Sequence, residues 1–398
     1  MNLLTRIAMD LTDDMQMVPD RDVAEMTEWR WQLHRHPELS GQEVETANRV
    51  IAMLSPTQPD EILTGLGGHG VAAVYDSANA GTTLMLRCEL DALPIQEISS
   101  RPYRSTVPGK AHLCGHDGHM AILATVARWL GRNRPRQGRV ILMFQPAEED
   151  GSGAAKVIAD PRFAKIRPDV ALALHNYPGL ARGMAMLAEG PMNCASRGMK
   201  IILTGRTAHA SQPEHGISPA NALAELIPRL TALGTGGAVS DPDFSLVTIT
   251  HASMGEQAFG IAPGEAQIWA TLRTRQDSGM DRLVTEASRA VADAARESTL
   301  EFAISWHDVF QHCENDPEAT EILRNALLAE DIAIRADGLP MRASEDFGRF
   351  GGGARAAMFL LGAGQDVASL HNPDYDFPDA LIAPAARVFI RCVAQVTG

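Results

Sequence analysis

Apolar residues fall into two rhythms along this chain. Three short runs are apolar on both faces: Thr83-Leu84-Met85-Leu86-Arg87-Cys88, Val140-Ile141-Leu142-Met143-Phe144 and Val170-Ala171-Leu172-Ala173-Leu174. Runs of this kind predict strands buried in a parallel or mixed sheet. The pattern predicts helices over 22–34, 41–54 and 120–130, then a strand over 357–361 and a last helix from Pro384. Alternation of strand and helix is the signature of an α/β fold with helices on both faces of the sheet.

The rhythm changes near residue 190. Strands are predicted over 199–204, 245–250, 266–273 and 300–306, with amphipathic helices over 219–233 and 281–296. The order β-α-β-β-α-β is that of a two-layer α+β, ferredoxin-like sandwich. It reads as an insertion, because α/β material resumes after about Cys313. The expected organisation is therefore one domain from 1–189 and 309–398, with a second over 190–308. Two domains suit a chain of 398 residues, since single cores stop growing near roughly 250–300 residues.

Composition narrows the function. A net charge of -14 disfavours nucleic acid and anionic membrane as partners. Cys88, Cys114, Cys194, Cys313 and Cys392 are odd in number, widely spaced and form no CxxC pair, which fits a reducing compartment. The N-terminal stretch, with Arg6, Asp10, Asp13 and Asp14, lacks the apolar region and cleavage site of a secretory signal. No stretch approaches about 18 uncharged apolar residues, so no membrane span is expected. Together these predict a cytoplasmic protein.

Candidate chemistry gathers where the buried strands end. Glu89 and Asp91 follow the first run, Glu148 and Glu149 the second, and His175 the third. In open α/β sheets, ligands bind outside the carboxyl ends of the strands. A fourth segment, His112-Leu113-Cys114-Gly115-His116-Asp117-Gly118-His119, is dense in metal-ligating side chains, and a fifth carries His371-Asn372-Pro373. Thiolate and imidazole together favour borderline metals such as zinc, manganese, cobalt or nickel. A cysteine nucleophile at Cys114 with His116 as base is a weaker reading, because it leaves the acids unexplained. A closed structural zinc site is weaker too, because an additional carboxylate able to act as a base stands beside the cluster.

These segments resemble the M20 metallopeptidase clan, and within it the aminoacylase, hippurate hydrolase and auxin-conjugate hydrolase-like amidohydrolases. The similarity is carried by His34-Arg35-His36-Pro37-Glu38-Leu39-Ser40, Leu90-Asp91-Ala92-Leu93-Pro94, Cys114-Gly115-His116-Asp117-Gly118-His119 and Gln145-Pro146-Ala147-Glu148-Glu149. It continues through Leu174-His175, Gly205-Arg206-Thr207-Ala208-His209-Ala210, Ser344-Glu345-Asp346-Phe347 and His371-Asn372-Pro373.

The resemblance implies a zinc-peptidase-like catalytic domain on a mixed sheet and an inserted lid that also dimerises. It implies two divalent metal ions per subunit, held by Cys114, His116, Glu149, His175 and His371. Glu148 would be the general base, Asp91 would orient a ligand or tune that base, and His209 would reach the substrate carbonyl, from its own or the partner subunit. Arg273 stands where the family often holds a substrate carboxylate. The implied reaction is cleavage of the amide bond of a small N-acyl amino acid or related N-acyl compound. A dipeptidase, a carbamoyl-amide hydrolase and a catalytically silent binding protein are the alternatives. His34, His36 and Glu38 read as structural, and His112 and His119 as supporting or structural residues. The sequence departs from the family at Glu89-Leu90-Asp91, at Gly216-Ile217-Ser218-Pro219 and at Gly260-Ile261-Ala262-Pro263, which points to a substrate unlike the commonest N-acyl amino acids.

Overall fold

The computed structural model describes residues 17–398; Arg6, Asp10, Asp13 and Asp14, on which the expectation about a secretory signal rests, lie outside them. The chain opens with α1 (Asp20–Arg35), α2 (Val44–Leu54), β1 (Glu61–Leu66), β2 (Gly70–Asp76), β3 (Thr83–Glu89), α3 (His116–Arg132), β4 (Arg139–Gln145) and α4 (Gly153–Ala159). Next come β5 (Val170–Pro178), β6 (Met184–Met186), β7 (Gly190–Asn193), β8 (Ala195–Thr204), β9 (Ala208–His209), α5 (Ala220–Thr231), β10 (Ser245–Met254) and β11 (Ile261–Ala262). The remainder is β12 (Glu265–Thr274), α6 (Asp277–Glu297), β13 (Glu301–Phe310), β14 (Cys313–Asn315), α7 (Pro317–Ala329), β15 (Ala333–Arg335), β16 (Arg355–Gly364) and α8 (Ile382–Thr397).

The described chain divides into two compact units. The first, through Gly190 with Glu314–Asp337 and Phe347–Gly398, is built on an eight-stranded sheet of order β1-β2-β4-β3-β5-β16-β6-β15. Its strands β3, β4, β5 and β16 run parallel, while β2 meets β4 and β6 meets β16 antiparallel, so the sheet is mixed. Every residue of β3 is buried, as expected of a strand covered on both faces. Leu86, Leu142, Leu172 and Phe359 enter one core with Met120, Leu123 and Val126 of α3 and Phe389 and Val393 of α8. By length and composition the segment Asp379–Thr397 could cross a membrane; burial of Val388, Phe389, Ile390 and Val393 in this core accounts for that composition.

The parallel register sets Glu89 of β3 opposite Gln145 of β4, and Arg87 opposite Ala173 of β5. The ends of β3, β4 and β5 therefore open on one edge. The segment after β3 leads into α3, whose N-cap Gly115 has φ 101°, a left-handed conformation that suits glycine. A Cβ at Gly115 would lie 2.3 Å from Asn176 Oδ1, and one at Gly118 would lie 2.3–2.5 Å from three atoms of the Phe377 ring. Both glycines let the α3 turn lie against β5 and the C-terminal segment. Gly118→Ala is expected to destabilise the protein by about 1–3 kcal/mol, because a buried ring has to move. The midpoint of urea unfolding checks this, and an unchanged midpoint would show that Phe377 gives way freely.

The second unit comprises Pro191–Cys313 and Gly338–Asp346. Relative to the expected 190–308, it reaches further, to residue 313, and gains the separate segment 338–346, tied in where Cys194 N–H donates to Met341 O and Ala343 O, both at 3.1 Å. Its four-stranded sheet has the order β10-β12-β8-β13 and is antiparallel throughout. Met199, Ile201 and Leu203 of β8 alternate inward and pack with Leu226 of α5 and Leu283, Ala287 and Val291 of α6.

Candidate metal centre and active site

Asp91 follows β3 and is fully buried. Its Oδ2 accepts from Ser40 Oγ at 2.7 Å and from Glu149 N–H at 2.9 Å, while Oδ1 lies 3.4 Å from His116 Nδ1. Burial works to raise the Asp91 pKa, but the His116 ring, the Glu149 amide and Ser40 outweigh it, so the carboxylate sits below its usual range. His116 Nδ1 also lies 2.9 Å from the Asp91 carbonyl oxygen, which fixes the ring and leaves Nε2 aimed away from it.

Five further side chains, of Cys114, Glu148, Glu149, His175 and His371, converge there. Cys114 Sγ lies 3.4 Å from His175 Nε2, and His175 Nδ1 is 2.8 Å from the Asn176 carbonyl oxygen. His116 Nε2 stands 3.9 Å from Glu148 Oε2 and 3.8 Å from Glu149 Oε1, and His371 Nε2 stands 3.7 Å from Glu149 Oε2. The donor atoms form overlapping groups, Cys114–His116–His175, Cys114–Glu149–His371 and His116–Glu148–Glu149, with the atoms of each group within 4.8 Å of one another.

Backbone geometry delivers these groups. Ala147 has φ 51°, unusual for a residue with a Cβ, and its N–H donates to the buried Glu43 carboxylate at 2.8 Å. That turn at the end of β4 presents Glu148 and Glu149. His371 has φ 66°, and its N–H donates to the Leu113 carbonyl at 2.8 Å, which ties the C-terminal segment to the Cys114 turn.

The electrostatics ask for a cation. Burial works against a proton on His116, but Asp91, Glu89 and Glu149 pull its pKa up to about 10. Burial, with Glu149 and Glu148 beside it, pushes the Cys114 thiol well above its ordinary value. Burial pushes His175 down to about 3, leaving a neutral imidazole whose Nδ1 bond puts the ring's lone pair on Nε2, facing Cys114 Sγ. His116 Nε2 is buried with no hydrogen-bond partner among the described residues. A thiol, three imidazoles and a carboxylate, one imidazole with an orphaned buried nitrogen, fit a divalent ion of borderline character.

Supporting residues surround this set. His119 Nδ1 meets Glu89 Oε2 at 2.6 Å and its Nε2 meets Asn176 Oδ1 at 2.5 Å; Asn176 also touches Tyr375 OH. The longer Glu89 thus bridges His119 and Arg87. His34 contacts Asp117, Glu38 accepts from Thr46 N–H at the start of α2, and His112 is wholly internal. Arg30, Asn176 and Tyr375 were passed over in the sequence. The available signal was that Arg30 precedes His34 by one helical turn, on the same face of α1.

His209 and Arg273 belong to the second unit. His209 is exposed, and its Nδ1 accepts from Ser211 N–H at 3.2 Å and from Ser211 Oγ at 2.7 Å. With Nδ1 accepting, Nε2 is left as the ring's donor. Arg273 Nη1 donates to the Arg342 carbonyl at 2.8 Å and to Ser344 Oγ at 3.0 Å, and no carboxylate pairs with it among the described residues. Pro219 is the N-cap of α5, and Ser218 Oγ just before it accepts from Ala220 N–H at 3.3 Å.

A mixed α/β sheet with this donor set at its mouth defines a metal-binding hydrolase of amide bonds. The chain belongs to peptidase family M20/M25/M40, which it matches over residues 85–395. It is 31% identical to a hippurate hydrolase of Campylobacter jejuni, over 91% of this chain and 94% of that one. It is likewise 31% identical to an N-acetyl-L-cysteine deacetylase of Bacillus subtilis, over 90% and 84% of the two chains. In structure it is similar to the Bacillus subtilis YXEP protein, described as a dinuclear metal binding peptidase from the M20 family, with a TM-score of 0.78, 25% identity and coverage of 95% and 99%.

Proposed function

We propose that this hydrolase cleaves the amide bond of a small N-acyl amino acid or related N-acyl compound, with two divalent ions per subunit drawn from zinc, manganese, cobalt or nickel. The observation that carries the reading is the overlap of two donor groups on Cys114, with Glu148 beside them. Relatives named for hydrolysis of hippurate and deacetylation of N-acetyl-L-cysteine support the substrate class.

Cys114, His116, His175, Glu149 and His371 would hold the ions. When bound, divalent ions supply carbonyl polarisation and a more acidic water. Glu148 takes a proton from the attacking water and returns it to the leaving amine. Asp91 holds the His116 ring and the Glu149 backbone in place. His209 offers its Nε2–H to the developing oxyanion, and Arg273, not neutralised by a carboxylate among the described residues, receives a carboxylate of the substrate. The second unit acts as lid and dimer contact, and the protein works in the cytoplasm as a homodimer.

The test is amine release from a panel of N-acyl amino acids, dipeptides, carbamoyl amino acids and N-acyl amines, using protein stripped of metal and then resupplied. Metal-restored release from N-acyl amino acids supports the reading. Release confined to dipeptides or carbamoyl compounds would move the assignment to those hydrolases, and no release with metal bound would favour a silent binding protein. His209→Ala is expected to lower kcat by about 10²–10³-fold, the effect of losing one oxyanion donor. An unchanged kcat would remove His209 from the reaction.

A further inference from the structure

The five proposed ligands come from separate parts of the first unit. Cys114 and His116 sit at the start of α3, while His371 lies on a half-exposed segment with a left-handed backbone. The His371 N–H bond to the Leu113 carbonyl holds only the start of this segment. Further along, the segment from His371 to Asp379 is anchored by carboxylates, and these converge on Arg30.

Arg30 lies in the middle of α1 and is completely buried. Its Nη1 donates to Asp117 Oδ2 at 2.8 Å, its Nε to Asp379 Oδ1 at 2.6 Å, and both Nη atoms reach Asp376 Oδ1 at 3.2 Å. Asp117 directly follows His116 in the chain, and Asp376 and Asp379 lie on the segment that begins with His371. Neighbouring groups complete the clamp: Tyr103 OH donates to Asp376 at 2.7 Å, Trp31 Nε1 to Asp379 at 3.1 Å, and His34 Nδ1 lies 2.9 Å from Asp117. The guanidinium also stacks over Tyr103, 5.1 Å from the ring centre.

We propose that Arg30 is a positioning residue for the metal-holding set, joining the turn that carries Cys114 and His116 to the segment that carries His371. The inference rests on the reading of those residues as metal ligands. The chemistry requires arginine. Its planar fork directs donors to carboxylates on two separate chain segments at once, whereas a lysine ammonium is a single point charge on a flexible stem. Loosening the clamp should release the segment bearing His371 while leaving His116, held by the Asp91 carbonyl, and His175, held within β5 by the Asn176 carbonyl. The loss therefore falls on one of the two ions.

The experiment is cobalt(II) titration of the full, metal-free chain, followed by calorimetry. Wild type is expected to take two ions. Arg30→Lys should keep one with affinity near that of wild type and bind the other about 10–100-fold more weakly, the usual consequence of losing a group that orients a ligand. Asp379→Asn removes one arm at the more accessible end of the clamp and should shift the same ion by less; it serves where Arg30→Lys fails to fold. Two ions bound by both folded variants with wild-type affinity would overturn the proposal, and so would equal weakening of both ions, which is the mark of a merely structural role. A wild-type chain that takes fewer than two ions overturns the metal reading itself, and the proposal with it.

Discussion

Glu148→Gln is expected to lower kcat by about 10³-fold while bound metal is retained, within the range seen when one general acid–base group is removed. The amide keeps the shape of the carboxyl group but cannot accept a proton at neutral pH. Glu148 is buried at the end of β4, and its carboxylate lies 3.9 Å from His116 Nε2. The left-handed turn at Ala147 fixes where it points. Steady-state kinetics together with metal analysis of the purified variant check this. Loss of metal alongside activity would make Glu148 a ligand instead of the base, and unchanged turnover would leave the base elsewhere.

The second large effect is on metal. Chelation is expected to abolish turnover and to lower the thermal midpoint, and manganese, cobalt, nickel or zinc should restore both. Magnesium should restore neither, because thiolate and imidazole donors suit borderline ions. An ion present at 100 times its dissociation constant stabilises the folded chain by about 2.7 kcal/mol. Removing it leaves the carboxylates of Asp91, Glu148 and Glu149 gathered around the His116 ring. Full activity after exhaustive chelation, with metal content measured, would sink the assignment.

The parts of the fold that could be read from sequence are those whose pattern is local. The runs at Leu84, Ile141 and Leu172 announce β3, β4 and β5 because burial on both faces removes polar residues from them. The hairpin of β1 and β2 escaped notice, since Gly70-Val71-Ala72-Ala73 is short and small and Glu61–Leu66 is half exposed. Helix α7 escaped although Asp316 caps it and Pro317 occupies its first turn, the signals of a helix start. The segment 338–346 could not be assigned, because its pairing with Cys194 depends on chain far away in sequence. The candidate site behaves the same way. Cys114 and His116 stand out in a dense local cluster, but Arg30 meets Asp379 across 349 residues, and neither position carries a local sign of the other.

Strand β16 lies between β5 and β6 in the large sheet, although it is built from residues 355–364. On the ribosome, β5 and β6 emerge long before their shared neighbour exists. The nascent first unit therefore keeps an open seam along β5 from the end of that strand at residue 178 until residue 355, the kind of unpaired apolar edge that draws in other chains. His371 follows β16 and is made later still. The sheet is sealed and the last ligand supplied within the same final stretch of translation. A chain truncated before residue 355 should thus be prone to aggregate as well as unable to complete the metal site.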